Sequence, residues 1–334
     1  MSKTGPIGVM GAGAWGTALA QAMASDGSAV LLWSFEEDVA QSINADRVNA
    51  TYLPGISLSP AITATSALSD LADASAILVV APARHVGPLV SSLPDHGQPL
   101  ILCSKGMEPD GCRLMNEVVE QSGWSGPVAV LSGPTFAHEV AGGLPAAVTL
   151  AAPTIDTATQ LARQIARPAL RPYASDDVVG AEVGGVVKNV LAVACGAVDG
   201  AGLGQNARAA LISRGFAEMV RYGLARGARL ETLTGLAGLG DLVLTCSSTS
   251  SRNFSFGREL ALGATPETLL QNRLTVAEGA LSAALLSADA KARGVEMPIC
   301  DAVARLVSGD ADVRSVIGEL LARPLKAEGW APRG

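Results

Sequence analysis

The segment IGVMGAGAWGTALAQAMA, beginning at Ile7, constrains this chain most. It reads as a short buried strand, a tight glycine turn and the start of a helix. Ile7, Val9 and Met10 supply the apolar strand; Thr17, Ala18, Leu19, Ala20 and Met23 continue as the helix. Gly11, Gly13 and Gly16 fall at G-x-G-x-x-G spacing, the pattern of a dinucleotide site. Gly11 permits the sharp turn, Gly13 lets a pyrophosphate approach the backbone, and Gly16 lets helix and strand pack closely. The helix start then offers N–H groups and a partial positive charge to phosphates. The plain alternative is a structural strand-to-helix turn, which the surrounding pattern disfavours.

The rest of the first half repeats this rhythm. Continuously apolar runs at 7–10, 29–33, 76–80, 100–104, 128–132 and 146–152 read as strands covered on both faces. Helical or polar segments at 14–25, 36–44, 86–93 and 112–121 separate them. The expected fold class is therefore α/β, with an N-terminal Rossmann-type, doubly wound, mostly parallel sheet. Strand signals fade after about Tyr173. Ala/Leu/Val-rich helical segments follow at 178–197, 206–226, 259–262, 277–293 and 298–308, broken by glycine clusters at 200–204 and 235–240. This predicts an all-α C-terminal domain. The expected boundaries are 1–178 for the dinucleotide-binding domain and 179–334 for a helical substrate-binding, catalytic domain. A length of 334 residues suits two domains with separate cores. The final KAEGWAPRG reads as frayed.

Composition excludes several functions. A formal net charge of −7 argues against broad nucleic-acid or anionic-membrane binding but leaves room for a local basic pocket. Cys103, Cys112, Cys195, Cys246 and Cys300 are odd in number with no CxxC pair, so they read as reduced buried thiols rather than a disulfide framework or zinc site. His85, His96 and His138 lack metal-ligand spacing, and no metal is expected. The apolar N-terminus has a single basic residue, Lys3, and reads as a strand rather than a signal peptide. No uncharged apolar run spans a bilayer. A cytoplasmic protein without stable membrane insertion is expected.

In doubly wound sheets ligands lie beyond the carboxyl ends of the strands. Lys105 follows the run LILCS there, where a charge sits at the sheet's mouth; a solvated loop lysine is the plain alternative. SGPTFAHE (132–139) follows the next run and combines a tight Gly133–Pro134 turn with the Thr135 hydroxyl, a shape that aims N–H groups at an anion or merely caps a helix. In EVGGVVKNVLAVACG (182–196) the polar groups are Glu182, Lys188 and Asn189. A lysine in such an apolar helix is costly unless paired or functional, and a nearby cation with burial would lower its pKa for proton transfer. Snorkelling from a helix edge is the alternative. GLAGLGDLVLTCSSTSSRNFSFG (235–257) joins a glycine-rich turn and Asp241 to Ser251, Arg252 and Asn253. Hydroxyls, N–H groups and a guanidinium make a phosphate cradle; a serine-rich loop is the alternative. Asp241 suits three roles: holding a lysine, accepting a substrate hydroxyl, or capping a helix. TVAEGA (275–280) places Glu278 before a further helix, alone only a capping pattern.

Taken together and in order, GAGAWGTALA, SKG, SGPTFAHE, VVKNVLAVACG, GLGDLVLTC and SRNFSFG resemble the bacterial-type NAD(P)-dependent glycerol-3-phosphate dehydrogenases over nearly the whole chain. The resemblance implies reversible hydride transfer between NAD(P)H and dihydroxyacetone phosphate, giving sn-glycerol 3-phosphate for phospholipid synthesis. It implies Lys188 as the proton acceptor. It implies Lys105, Gly133, Thr135, Asp241, Ser251, Arg252 and Asn253 as substrate contacts. For the cofactor it implies Gly11, Gly13, Ala14, Trp15, Gly16, Phe35, Ala137, Val276 and Glu278, together with Lys105 and Arg252. A homodimer follows from the resemblance and from the apolar helical domain. One segment departs from the family: members preferring NADPH often carry a basic side chain near Ser34 or Phe35, whereas this chain has Glu36 and Glu37 next. That leans the expectation towards NADH. The rival readings are another two-domain dehydrogenase, of β-hydroxyacid or 6-phosphogluconate type, and a nucleotide sensor without catalysis. The SRN and SGPTFA blocks weigh against the first, and Lys188 with Lys105 against the second.

Overall fold

The computed structural model of the chain describes residues 5–271 and 277–322. Val276 and the KAEGWAPRG tail lie outside the described residues. The contacts divide into two units, Met1–Ser104 with Met115–Val178, and Lys105–Leu114 with Val179–Gly334.

The first unit alternates strands and helices: β1 (Ile7–Met10), α1 (Ala14–Met23), β2 (Val30–Trp33), α2 (Glu37–Asp46), β3 (Ile62–Thr65), β4 (Ala76–Val79), α3 (Ala83–Ser92), β5 (Leu100–Leu102), α4 (Met115–Gln121), β6 (Val128–Ser132), α5 (Ala137–Ala141), β7 (Ala146–Ala151), α6 (Ile155–Ile165) and β8 (Leu170–Ser175). The sheet order is β3-β2-β1-β4-β5-β6-β7-β8. All neighbours are parallel except β6 and β7, which pair antiparallel. The order reverses at β1 and β4, the switch point beside which ligands bind in such sheets. β1 and β4 are buried at every residue, so covering helices explain their continuous apolar runs. β3 and β8 escape the sequence reading for the opposite reason. ITAT alternates between buried and more exposed positions, and LRPYAS is buried only at Leu170. Each is an edge strand without a continuous apolar run.

The second unit is helical: α7 (Val178–Gly200), α8 (Gly204–Arg226), α9 (Leu230–Thr234), α10 (Asp241–Cys246), α11 (Arg252–Ala261), α12 (Pro266–Leu270), α13 (Glu278–Ala292), α14 (Pro298–Ser308) and α15 (Val313–Leu321). The sequence reads a capped helix start at Ser251–Arg252–Asn253 and a helical segment at 259–262; α11 joins the two, and the Ser251 hydroxyl accepts Phe254 N–H at its start. α7 is the core of this unit, buried from Gly180 to Val198. By length and hydropathy it could cross a membrane, yet 89% of its most apolar window is buried within the fold, as in the core helix of a soluble protein. Lys105–Leu114 belongs to this unit, with Met107 and Leu114 in its core. Four cysteines are buried free thiols, and Cys112 is half-buried.

Candidate active site

In the first unit the glycine turn has the form a dinucleotide needs. Gly11 adopts φ +122°, a backbone conformation unfavourable to any side chain. A Cβ on Gly16 would lie 1.8 Å from Gly11 O, so α1 can start here only on glycine. A Cβ on Gly13 would meet nothing within 4 Å; it would project into open space beside the start of α1. That helix start has no side-chain cap bond and no acid in its first turn. Open space, N–H groups and a positive helix end fit a pyrophosphate. Two substitutions separate fold from binding. Gly16→Ala should unfold this unit or lower its melting temperature by several degrees, equivalent to about 2 kcal/mol or more. Gly13→Ala should keep the melting temperature and lose nucleotide affinity at least about tenfold; thermal denaturation with NADH titration checks both.

In the second unit, a buried carboxylate holds two amines. Lys105 Nζ donates to Asp241 Oδ2 at 2.6 Å, and Lys188 Nζ lies 3.1 Å from Asp241 Oδ1. Lys188 Nζ also donates to Thr245 Oγ1 at 2.9 Å, and Thr245 Oγ1 donates to Asp241 Oδ1 at 3.1 Å. Asp241 and Thr245 share a face of α10 because they are four residues apart. Asp241 is fully buried and Lys188 is 7% exposed. Burial, first, and the Lys105 charge draw Lys188 down to a pKa of about 8 against the opposing pull of Asp241. The two ammoniums hold the Asp241 carboxyl below the usual range despite its burial. An amine titrating near working pH can both give and take a proton.

A second chain of bonds fixes this centre. Asn189 Nδ2 donates to Lys105 O at 3.1 Å, Asn253 Nδ2 to Asn189 Oδ1 at 2.9 Å, and Gly279 N–H to Asn253 Oδ1 at 2.8 Å. One residue after Lys188, Asn189 thus ties α7 to the Lys105 loop, to α11 and to the start of α13.

The family models for the N-terminus and the C-terminus of NAD-dependent glycerol-3-phosphate dehydrogenase match residues 6–158 and 177–318. The chain belongs to this family. A glycerol-3-phosphate dehydrogenase [NAD(P)+] of Erythrobacter litoralis (strain HTCC2594) is 58% identical over 325 residues, covering 97% of this chain and 98% of that one. One from Sphingopyxis alaskensis is 56% identical, with coverage of 97% and 98%. Among solved structures, the glycerol-3-phosphate dehydrogenase of Coxiella burnetii is similar at a TM-score of 0.91 and 40% identity, covering 96% of this chain and 99% of that chain.

Against this family's pattern the expected residues fall into distinct environments. Lys188, Lys105 and Asp241 come together as one ionic cluster. Ser251 and Asn253 are buried, with Ser251 capping α11 and the Asn253 amide taken up by Asn189 and Gly279, while the Arg252 side chain is exposed. Glu278 is the first residue of α13, and its charge acts on Arg252. In the first unit Gly11, Gly13, Ala14, Trp15 and Gly16 form the turn and first helical turn, with Trp15 half-buried against the core. Gly133 lies at φ +154°, where a Cβ would stand 2.9 Å from Val148 Cα. Thr135 Oγ1 donates to Gly133 O at 3.3 Å, and Ala137 starts α5. Phe35 is 81% exposed, edge-on to Trp33. The sequence reading missed Thr245, which the four-residue spacing from Asp241 would have flagged. It noticed Asn189 as polar but gave it no role.

Proposed function

We propose that the protein is an NAD(P)-dependent oxidoreductase interconverting dihydroxyacetone phosphate and sn-glycerol 3-phosphate. The buried Lys188–Asp241–Lys105 cluster carries this reading, since it places an amine of tuned basicity in a dry setting. A bound nicotinamide supplies or takes up the hydride; Gly11, Gly13, Ala14, Trp15 and Gly16 would hold its pyrophosphate. Phe35, Ala137 and Glu278 are assigned to the cofactor on the family pattern, as are Lys105 and Arg252. The protein's own residues manage the proton. Charged Lys188 donates to the substrate oxygen as the ketone is reduced. Neutral Lys188 accepts the hydroxyl proton as the alcohol is oxidised. Asp241 keeps that amine oriented, and Thr245 fixes its second donor direction. Lys105 adds positive charge, favouring a dianionic substrate. Arg252, with the helix start it occupies, is assigned to the substrate phosphate, and Gly133, Thr135, Ser251 and Asn253 to shaping the substrate site.

The Lys188 pKa of about 8 sets a pH dependence of opposite sign in the two directions. Turnover of glycerol 3-phosphate should rise as pH passes about 8, because the neutral amine is the base. Turnover of dihydroxyacetone phosphate should fall over the same range, because the ammonium is the acid. Profiles of kcat from about pH 6 to about pH 10 in both directions check this; flat profiles reject Lys188 as the titrating group.

The deciding experiment is oxidation of NADH and NADPH by the purified protein, dependent on dihydroxyacetone phosphate. Turnover is expected. No turnover with this ketone, but oxidation of a β-hydroxyacid or 6-phosphogluconate, would overturn the substrate assignment. Nucleotide binding without any oxidation would favour a sensor. A homodimer in the cytoplasm, serving phospholipid synthesis, completes the proposal; sedimentation equilibrium tests the dimer.

A further inference from the structure

At the carboxyl end of β2 the chain runs Ser34-Phe35-Glu36-Glu37-Asp38. This segment adjoins the glycine turn. Met10 and Trp33 are register partners, and Gly11 N–H donates to Trp33 O at 3.0 Å. In such folds the residues here meet the adenosine ribose: a carboxylate accepts from its hydroxyls, whereas a cation accommodates a 2′-phosphate.

The three acids are not equivalent. Glu37 and Asp38 are exposed and engaged with their own helix: Gln41 Nε2 donates to Glu37 Oε1 at 3.4 Å, and Val39 N–H to Asp38 Oδ1 at 3.0 Å. Glu36 is half-buried, and although it occupies the N-cap position its carboxylate makes no cap bond. Instead the Tyr52 hydroxyl donates to Glu36 Oε1 at 2.9 Å, and the buried Ser34 Oγ donates to Oε2 at 3.5 Å. Tyr52 is in turn tied to the turn itself. Its N–H donates to Asn49 Oδ1 at 3.1 Å, and Asn49 Nδ2 donates to Ala12 O at 2.8 Å. A continuous set of bonds therefore runs from the glycine-turn backbone to the Glu36 carboxylate. Burial and the Glu36 charge raise the Tyr52 pKa, so the phenol stays a donor. Neither Lys nor Arg occurs between Gly5 and Asp46. The next cation, Arg47, donates to Ile62 O at the amino end of β3, the opposite end of the strands from Glu36.

We infer that Glu36, oriented by Tyr52, selects nucleotides with a free ribose 2′-hydroxyl, so that this protein uses NADH in preference to NADPH. The inference rests on the dehydrogenase reading above and names the residue that decides its cofactor. Glu36 is the specificity determinant and Tyr52 a positioning residue.

Calorimetric titration of the full chain, first with ADP-ribose and 2′-phospho-ADP-ribose and then with NADH and NADPH, tests it. The unphosphorylated member of each pair should bind at least about tenfold tighter, because a 2′-phosphate would face a fixed carboxylate. Glu36→Arg should reverse the order; should that variant fail to fold, Glu36→Gln should narrow the gap. Tyr52→Phe should narrow the ratio by about threefold, the scale of one hydrogen bond, at an unchanged melting temperature. A merely structural Tyr52 would weaken both ligands equally and leave the ratio alone, and that result overturns its positioning role. Native protein binding both members within about threefold overturns the inference; so does a folded Glu36→Arg or Glu36→Gln with the native ratio. Equal binding with dihydroxyacetone-phosphate-dependent turnover intact overturns this inference alone. Binding of neither pair overturns the dehydrogenase reading with it.

Discussion

Lys188→Met is expected to lower turnover by about 10³-fold while leaving nucleotide affinity close to native, the range that general acid–base groups contribute. Methionine keeps much of the apolar stem volume, so the packing of α7 against its neighbours survives. What disappears is the only atom of that side chain able to exchange a proton with a substrate oxygen. The lost ammonium also unburdens the fold, since burial opposes its charge. Stability should fall less than on removal of Asp241, because the bonds to Asp241 and Thr245 are lost but that carboxylate keeps Lys105 at 2.6 Å as its counter-charge. Single-turnover kinetics with calorimetric NADH binding separates the two effects. Near-native turnover in this variant would reject Lys188 as the proton carrier.

Asp241→Asn should be costly in a different way. The side chain keeps its shape but loses the charge that faces two amines at 2.6 and 3.1 Å. Breaking a buried ionic cluster on one side typically costs about 3–5 kcal/mol, because the remaining charges stay desolvated. Asp241 acts to raise the Lys188 pKa, so its removal should carry that pKa below about 8. The pH midpoint of turnover should move in the acid direction, and kcat should fall as Lys188 loses its orientation. Stability follows with a definite sign. The folded pKa of Lys188 lies below the ordinary value of 10.5, so between the two the unfolded chain binds more protons. Stability from this group therefore rises with pH across that window, and the Asp241→Asn deficit should be greatest at low pH and shrink as Lys188 becomes neutral. Melting temperatures at about pH 7 and about pH 9, beside kcat profiles, measure this. A native melting temperature with an unmoved midpoint would show that Asp241 neither holds nor tunes the amine.

Local pattern explains how much of the fold was readable in advance. β1 was legible to the residue because a strand covered on both faces must be apolar throughout. α14 was legible to the residue as an Ala/Leu/Val-rich run at 298–308. β3 and β8 were not, because an edge strand meets the core on one face and its short alternation resembles a loop. The segment 105–114 follows a strand of the first unit but packs into the core of the second, a choice no local signal records.

The same division runs through the candidate site. The sequence by itself determined the glycine turn, the apolar helix interrupted by Lys188, and the ordered blocks that mark the family, because spacing along one strand or helix is a local property. Only the tertiary structure decided that Lys105 meets Asp241 across 136 positions, that Asn253 serves as a strut between Asn189 and Gly279, and that Glu36 rather than Glu37 is clamped by Tyr52. Those partners are distant along the chain, and a buried charge or amide chooses them by what stands within about 3 Å once the helices have packed.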